Sequence, residues 1–385
     1  MDVGYQLPED LRMLQTWMRN FIRREIVPLE RELDPEAMEL PEEDYERLSR
    51  IAKDAGMWCL GVLEEYGGGG LGCFVMTVIN EEMAQHRNGL YNPGYGVFGR
   101  PPPPIIFEGT KEQIKKYAIP TIQGGGTTFY AITEPSGGSD PARAIQTTAV
   151  RDGDDWIING TKVFITGAGS ADWGVVFVRA GPGEGRAGIS CFIIEKGMPG
   201  FSTRPIPVIR PMYPYEVSFE DCRVPNANLL GELGKGFELT TKLLGINRFP
   251  YSAANLGVAV AAQRMAIEYA KQREVFGELL SRKQAIQWML ADSDIEIRAA
   301  RWLIWEGAWK VDRGEDYRHE ASIAKLHSSE VLARVVDRAV QIHGAYGVSK
   351  DLPLERWYRE ARIRRIGEGT SEVHRFVIAR NLLRG

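Results

Sequence analysis

The spacing of apolar residues changes twice along this chain, and that change limits the folds it can adopt. Up to about residue 130, apolar residues recur at helical spacing between charged ones, as at Leu11, Leu14 and Met18. From about Thr147 they form short β-rich runs, and after Gly231 the helical spacing returns and continues to the end. The order helix, strand, helix predicts a mixed α+β protein with separate helical and β regions.

The chain has 385 residues, and with roughly 100 to 200 residues per domain more than one domain is expected. We predict an N-terminal helical domain over residues 1–130 and a central β-domain over residues 131–232. A C-terminal four-helix bundle is predicted over residues 233–385.

The central region contains the sequence signal of a β-hairpin. Asn159-Gly160 lies between the β-rich runs Trp156–Ile158 and Thr161–Thr166, and this dipeptide is typical of a two-residue turn. Further strands are predicted at Gly174–Arg179, Ile189–Glu195 and Glu216–Phe219. Since no helical pattern separates these runs, we expect an antiparallel sheet.

One C-terminal segment, residues 284–311, has two apolar stripes at helical spacing. The first stripe contains Ile286, Met289, Leu290, Ile297, Ala300, Ile304, Ala308 and Val311. The second contains Trp288, Ile295, Ala299, Trp302, Trp305 and Trp309. A helix with two apolar faces favours a bundle that also packs against another subunit, although a central helix of a monomeric bundle would show the same pattern.

Composition excludes several function classes. Lys and Arg total 47 against 51 Asp and Glu, a net charge of −4, so nucleic acid is not the expected partner. The four cysteines and five histidines form neither a Cys-x-x-Cys nor a His-Glu-x-x-His pattern, so no metal site is predicted. The apolar windows are too short for membrane insertion and the first residues do not resemble a signal peptide, so a cytoplasmic location is expected.

Three polar segments are poorly explained by packing. The first, Tyr130–Asp140, alternates hydroxyl-bearing residues and glycines, and it could hold a ligand or be a plain connection. The second, Arg273–Gly277, carries an arginine that could bind a pyrophosphate or lie in solvent. In the third, Trp357–Glu372, Glu368 lies between two glycines just before a predicted helix. It could be an acid/base group beside an anion site, or a glutamate that only stabilises the first turn of that helix.

Together these segments resemble the acyl-CoA dehydrogenase family over nearly the whole chain. Supporting motifs are Tyr66-Gly67-Gly68, Trp156–Lys162, Phe164-Ile165-Thr166, Gln341–Gly347 and Glu368-Gly369-Thr370-Ser371-Glu372. The resemblance implies a homotetrameric flavoenzyme with FAD between the β-domain and the C-terminal bundle.

The resemblance also implies which residues surround FAD. Around the flavin ring it places Tyr130, Ile132, Thr133, Ser139, Phe164 and Thr166, with Phe164 on one face and Thr166 near N5. From a neighbouring subunit it brings Arg273, Phe276, Gln284, Gln341, His343, Gly344 and Ala345 to the pyrophosphate and adenosine. Thr370 and Glu372 would contact the same cofactor.

Glu368 matches the catalytic base of the short- and medium-chain members of that family. By resemblance it removes the acyl α-proton while the β-hydrogen leaves as hydride to flavin N5, which gives a 2-enoyl-CoA. Other members carry the base at the position of Asn247, which cannot act as one. Ser139, Arg248 and Gly369 are implied to bind the acyl-CoA substrate, and an electron-transfer flavoprotein is implied as the electron acceptor.

The sequence departs from the family pattern near the substrate. Gly245 stands where an acidic residue is common, and Gly367 stands where a tyrosine often precedes the base. The expected helix along the acyl pocket, Tyr91–Pro104, contains a run of prolines. Tyr91 stands about where glutaryl-type members keep an arginine, which disfavours a dicarboxylic substrate unless Arg100 substitutes. Oxidase, enoyl-CoA reductase and elimination chemistry on the same fold, and a non-catalytic flavin-binding scaffold, remain alternatives.

Overall fold

The computed structural model describes residues 7–384, apart from the side chains of residues 242–244, and these form two compact units. The helical unit contains residues 7–55, 71–97 and 245–384, and the β unit contains residues 56–70 and 98–244. N-terminal and C-terminal helices thus share one unit. The three-domain division at residues 130 and 232 stays a prediction.

The helical unit is built mainly from α-helices of 11 residues or more, with a short one at Val27–Leu29. These are α1 (Glu9–Phe21), α2 (Val27–Leu29), α3 (Glu42–Asp54), α4 (Cys73–Met83), α7 (Gly236–Gln272, here from Gly245 onward), α8 (Gln284–Asp312), α9 (Arg318–His343), α10 (Leu354–Arg364) and α11 (Ser371–Arg384). Two short helices, α5 (Lys111–Gln113) and α6 (Pro141–Ala144), belong to the β unit. A small hairpin of β9 (Glu274–Val275) and β10 (Glu278–Leu279) joins α7 to α8.

The middle of the first apolar stripe of α8 is buried in the core of the helical unit, and its ends, Ile286, Met289, Leu290 and Val311, are partly buried against that core. Ile297, Ala300, Ile304 and Ala308 are almost inaccessible and pack with apolar residues of α7 and α9. Alanines on α7 let neighbouring helices approach closely.

Most of the second stripe of α8 lies on the surface of this chain. Trp288, Ile295, Trp302 and Trp309 are 44 to 65 % exposed, and they follow one another at intervals of seven residues. We call these four residues the outer stripe. Trp305 was predicted to share this face, but it is buried, because its ring packs edge-on against Phe74 of α4.

The β unit is built on one eight-stranded sheet. Its strands are β1 (Thr128–Ala131), β2 (Thr148–Asp152), β3 (Asp155–Thr166), β4 (Trp173–Arg179), β5 (Ile189–Glu195), β6 (Phe201–Pro205), β7 (Pro214–Pro225) and β8 (Leu229–Leu230). The order is β6-β7-β3-β2-β4-β5-β8, with β1 paired to β4. The predicted antiparallel pairing holds except at β4, which meets both β1 and the first residue of β2 in parallel.

The predicted turn at Asn159-Gly160 is wrong. β3 runs straight through this dipeptide, which forms a bulge opposite β7. Asn159 exchanges hydrogen bonds with Asp221 of β7, and a side chain on Gly160 would collide with Thr147. The hairpin turn lies instead at Gly153-Asp154, between the paired residues Asp152 and Asp155.

The helix expected over Tyr91–Pro104 is also absent from the described structure. Pro93–Gly96 forms a turn in which Gly94 and Tyr95 have left-handed backbone conformations, and a single-turn 3-10 helix, Pro104–Glu108, begins only at the last residue of the segment. Its first part is held by the buried Glu30 carboxylate, which accepts hydrogen bonds of 2.8 Å from both the Tyr95 hydroxyl and His86 Nδ1. Tyr95 has a φ of 55°, which an α-helix does not allow.

Two further findings concern the chain as a whole. Among the described residues, none of the helices is long and apolar enough to cross a bilayer. The four cysteines are free thiols.

Candidate active site

Glu368 lies in the turn that joins α10 to α11. Its backbone has a φ of 58° and that of Gly369 a φ of 96°, so two consecutive residues are in the left-handed region. The turn is closed by a 3.1 Å hydrogen bond from the Ser371 amide to the Arg365 carbonyl. For a residue with a side chain this left-handed backbone conformation is unfavourable by about 1–2 kcal/mol, so contacts with the surrounding structure must stabilise it. The half-buried carboxylate therefore projects from a strained loop at the start of a helix.

The half-buried Arg248 and the buried Lys325 lie close enough to Glu368 to interact with its charge. Burial lowers the pKa of Arg248, and the Glu368 carboxylate acts against this shift. Burial, and next the charge of Arg364, lower the pKa of Lys325 to about 7, again with Glu368 opposing. The Arg248 Nε atom is buried with no hydrogen-bond partner within the described part of the chain. The site thus combines one carboxylate with cationic groups that can bind an electron-rich ligand.

An aromatic residue faces the glycine before Glu368. A Cβ atom on Gly367 would lie 3.4 Å from the Tyr251 hydroxyl, which is ordinary contact distance. The ring of Tyr251 is covered by the Arg364 guanidinium, and Arg364 also lies 5.4 Å from the ring centre of Tyr91. Tyr91 and Tyr251 thus both lie beside Arg364, near the Glu368 turn.

The structure explains one departure from the family pattern. At Gly245 a Cβ atom would lie only 3.0 Å from the Tyr317 ring, so a larger residue fits there only if this ring moves. Asn247, at the alternative base position, is exposed and has no acidic group.

In the β unit, backbone pairing brings together two of the segments predicted to contact FAD. The Val163 amide donates a 2.9 Å hydrogen bond to the Thr133 carbonyl. Phe164 follows with a φ of 59° and a side chain that is 59 % exposed. The Thr166 hydroxyl accepts a 3.2 Å hydrogen bond from Arg210. An exposed aromatic side chain in a strained conformation, beside a hydroxyl, is typical of a ligand site.

A buried ion pair joins the same two segments, since Glu134 follows Thr133 and Lys162 precedes Val163. Lys162 Nζ contacts the Glu134 carboxylate at 2.7 Å and the Phe177 carbonyl at 2.5 Å, and both charged side chains are almost inaccessible. Burial lowers the pKa of Lys162 to about 8, against the effect of Glu134. Although burial acts to raise it, the pKa of Glu134 is held below its usual value by Lys162. The pair anchors the segment after β1 that carries Thr133.

In the helical unit, the end of α7 meets the end of α9. The rings of Tyr269 and His343 stack with centres 4.4 Å apart. Arg273 follows four residues after Tyr269, and Phe276 at the next turn is 99 % exposed with a φ of 52°. Gly344, after His343, has a φ of 59°. Two segments predicted to bind FAD are therefore adjacent at one end of this unit.

The remaining predicted residues take simpler positions. Exposed positions are held by Ser139, Gln284, Gln341, Ala345 and Glu372. The half-buried Tyr130 contacts Thr240 through its hydroxyl, and Ile132 packs against the core of the β unit. Thr370 Oγ1 accepts a hydrogen bond from the Val373 amide at the start of α11.

These residues fit FAD on two counts. The exposed Phe164 and the nearby Thr166 hydroxyl provide an apolar face and a polar group for a planar ring system. The exposed Arg273, Phe276 and Gly344 provide a cation, an aromatic ring and an open backbone for a dinucleotide.

Sequence reasoning missed three residues of this site, namely Lys325, His374 and Tyr251. His374 Nε2 contacts the Glu368 carbonyl at 3.1 Å, and Lys325 Nζ contacts the Gly369 carbonyl at 2.5 Å. Lys325 stands among the apolar positions of α9, which is the signal that could have identified it. His374 is a single histidine with no such signal.

Comparison with protein families identifies three consecutive matches. The N-terminal domain of acyl-CoA dehydrogenase matches residues 8–125, the middle domain residues 130–222 and the C-terminal domain residues 234–383. Together they account for most of the chain.

Similar curated proteins include both dehydrogenases and reductases. The short-chain specific acyl-CoA dehydrogenase of Clostridium acetobutylicum is 37% identical over 99% of this chain and 100% of its own length. An acryloyl-CoA reductase (NADH) of Anaerotignum propionicum is 37% identical over 99% of this chain and 96% of that protein. A 3-(aryl)acrylate reductase of Clostridium sporogenes is 37% identical over 98% of this chain and 99% of that protein.

Two solved structures are similar over the full length of both chains. Butyryl-CoA dehydrogenase from Megasphaera elsdenii has a TM-score of 0.86 and 32% sequence identity. A chain from a structure described as the electron transferring flavoprotein of Acidaminococcus fermentans has a TM-score of 0.87 and 36% identity.

Proposed function

Because this chain belongs to the acyl-CoA dehydrogenase family, whose members depend on FAD, we propose that it oxidises an acyl-CoA thioester to a 2-enoyl-CoA with Glu368 as the base. The observation that carries this proposal is the placement of the Glu368 carboxylate on a left-handed turn beside Arg248 and Lys325. The alternative base position is occupied by Asn247, which has no carboxylate, so the base is assigned to Glu368.

The reaction removes two hydrogens from neighbouring carbons. Glu368 takes the α-hydrogen as a proton on its carboxylate, and the electron pair of that C–H bond forms the new double bond. FAD, when bound, supplies the acceptor for the β-hydrogen, which leaves as hydride with its two electrons. Arg248 and the backbone N–H groups of the Glu368 turn favour negative charge on the thioester oxygen as the proton leaves.

The cofactor contacts form part of the same proposal. Phe164 and Thr166, with Tyr130, Ile132, Thr133 and Ser139, would hold the flavin ring. The pyrophosphate and adenosine would be bound by Arg273, Phe276, Gln284, Gln341, His343, Gly344 and Ala345 of another subunit, and by Thr370 and Glu372. Ser139, Arg248 and Gly369 would contact the acyl-CoA. The exposure of Arg273 and Phe276 supports a role for them outside their own subunit.

The outer stripe supports oligomerisation. Trp288, Ile295, Trp302 and Trp309 expose large apolar side chains along one face of α8. Exposed apolar surface in such a continuous row is typical of a subunit interface. We propose a homotetramer in which this face is buried.

The electron acceptor and location complete the proposal. The similarity to a chain described with an electron transferring flavoprotein supports such a protein as the acceptor. The four free thiols fit a reducing compartment such as the cytoplasm. Anaerobic reoxidation of the reduced enzyme by purified electron-transfer flavoprotein, and cell fractionation, test these two points.

The central experiment follows flavin absorbance under anaerobic conditions. Purified enzyme is mixed with butyryl-, octanoyl-, isovaleryl- and 3-phenylpropionyl-CoA, and at least one should bleach the flavin. Glu368→Gln should slow bleaching by about 10²–10⁴-fold with unchanged FAD content, because the variant cannot accept a proton. Glu268→Gln, on the exposed part of α7, is the control and should match wild type. Bleaching by Glu368→Gln at the wild-type rate contradicts the assignment.

A second candidate is the reverse reaction, reduction of a 2-enoyl-CoA. The similarity to acryloyl-CoA reductase (NADH) and to 3-(aryl)acrylate reductase favours it. Here a protonated Glu368 would return the α-proton to the substrate. NADH-dependent loss of crotonyl-CoA or cinnamoyl-CoA by the purified enzyme and an electron-transfer flavoprotein, without bleaching by any saturated thioester, would favour the reductase. Rapid reoxidation by oxygen would instead indicate an oxidase.

A further inference from the structure

Two consecutive carbonyl groups in the Glu368 turn point into the protein and bind buried side chains. The Glu368 carbonyl accepts a 3.1 Å hydrogen bond from His374 Nε2, and the Gly369 carbonyl accepts a 2.5 Å hydrogen bond from Lys325 Nζ. The donors come from different helices, α11 and α9. The turn is thus held from two sides.

Both donors have a fixed hydrogen-bonding role. A carbonyl oxygen only accepts, so His374 Nε2 carries the hydrogen. Burial and the charges of Arg248 and Lys325 lower the pKa of His374 to about 3, so its ring is neutral. Lys325 and His374 are both almost inaccessible to solvent, so water cannot replace either donor easily.

Because the peptide bond is planar, these two contacts also fix the direction of the N–H group in each of the two peptide units. In a trans peptide the N–H points opposite to the C=O of the same unit. With the carbonyls of residues 368 and 369 turned toward His374 and Lys325, the N–H groups of residues 369 and 370 point away from them. The same two contacts restrict the rotation of Glu368, whose φ of 58° is unfavourable by itself.

We propose that Lys325 and His374 are positioning residues for the base, holding these two carbonyls so that the Glu368 carboxylate and the following N–H groups keep one orientation toward the acyl thioester. This inference rests on the proposed function. Neither residue touches the substrate in this assignment, so both act through the turn. Loss of either donor should allow the peptide units to rotate and the carboxylate to leave its reactive position.

The test compares variants that remove a donor with variants that keep one. Lys325→Met and His374→Leu remove the donor, whereas Lys325→Arg and His374→Gln retain an N–H group at a similar reach. Stopped-flow flavin reduction by the fastest thioester of the panel gives a limiting rate constant and an apparent Kd. Hydrogen–deuterium exchange of the peptide spanning residues 366–373 reports the turn directly, with or without FAD.

Both donor-removing variants should lower the limiting rate constant by about 10–100-fold, because misplacement of a reacting group by about 1 Å has an effect of this size. Their apparent Kd and FAD content should stay within about twofold of wild type, and exchange in residues 366–373 should accelerate. The conservative variants should recover most of the rate constant.

The outcomes separate this inference from the proposed function. If Glu368→Gln abolishes flavin reduction while Lys325→Met and His374→Leu react at the wild-type rate, only the positioning role is wrong. An equal loss of rate in conservative and donor-removing variants would also overturn it. If Glu368→Gln itself reacts normally, the proposed function fails first. Should Lys325→Met not fold, the His374 pair alone decides.

Discussion

The guanidinium carbon of Arg364 lies 3.2 Å from the ring centre of Tyr251. The same guanidinium donates hydrogen bonds of 2.6 Å to Asn255 Oδ1, 3.0 Å to the Leu90 carbonyl and 2.8 Å to the Tyr251 carbonyl. One buried arginine therefore connects α7, α10 and the turn after α4. This junction lies directly before the Glu368 loop.

Replacing Arg364 by lysine should destabilise the helical unit. Lysine keeps the charge but cannot reproduce three directed bonds and a stacked plane. Loss of two such bonds predicts a decrease of about 2–4 kcal/mol in the free energy of unfolding. Urea denaturation measures it. Arg362→Lys, exposed on the same helix, is the control, and equal stabilities for the two variants would contradict the prediction.

The Glu134–Lys162 pair should behave as a unit. Lys162→Met leaves a buried carboxylate without its cation and should cost about 3–5 kcal/mol, whereas adding Glu134→Leu should recover part of this loss. Lys116→Met breaks the exposed pair with Glu195 and should cost less than about 1 kcal/mol. A double-mutant cycle on thermal or urea unfolding checks this, and strictly additive effects for Glu134 and Lys162 would rule it out.

His374 should make the protein less stable in acid. Its folded pKa of about 3 lies below the ordinary value of 6.5, so the unfolded chain binds a proton in this interval that the folded chain does not. Stability therefore falls as pH decreases from 6.5 to 3, by about 1.4 kcal/mol per pH unit from this group. His374→Gln keeps a donor without titrating, so the slope of its unfolding free energy should be smaller. Parallel pH curves for both proteins would show that His374 does not contribute.

A charge in the outer stripe should dissociate the oligomer. Trp288→Glu or Ile295→Glu would bury a carboxylate in an apolar interface, which is unfavourable by several kcal/mol. Light scattering should show a smaller particle for both variants. Gln287→Glu adds the same charge beside the stripe and should leave the mass unchanged. A monomeric wild type, or a wild-type mass for both stripe variants, would refute the assignment.

The sequence predicted the helices and strands best where apolar spacing was regular. β5 begins and ends where the pattern placed it, and the middle of the first stripe of α8 is buried. The turn predicted at Asn159-Gly160 is absent, because pairing with β7 and the contact of Gly160 with Thr147 outweigh the local turn propensity. The position of Trp305 was predicted wrongly because the residue that its ring packs against, Phe74, is distant in sequence.

The candidate site was predictable only in part. Glu368 could be identified from the sequence because the glycines on both sides mark it as a carboxylate in a loop. Its supports could not, because Lys325 and His374 reach the turn from separate helices, and hydrogen bonds to backbone carbonyls leave no trace in residue spacing. The identity of the acyl group depends in the same way on tertiary contacts around Tyr91, Tyr251 and Gly367.

The seven-residue interval of the outer stripe has a geometric consequence. An α-helix has 3.6 residues per turn, so positions seven apart drift by about 20° per interval around its axis. Over the three intervals from Trp288 to Trp309 the row winds about 60° around α8. A helix that stays in contact with the whole row must cross α8 at a small left-handed supercoil angle, near 20°, with large apolar side chains interlocking at each repeat.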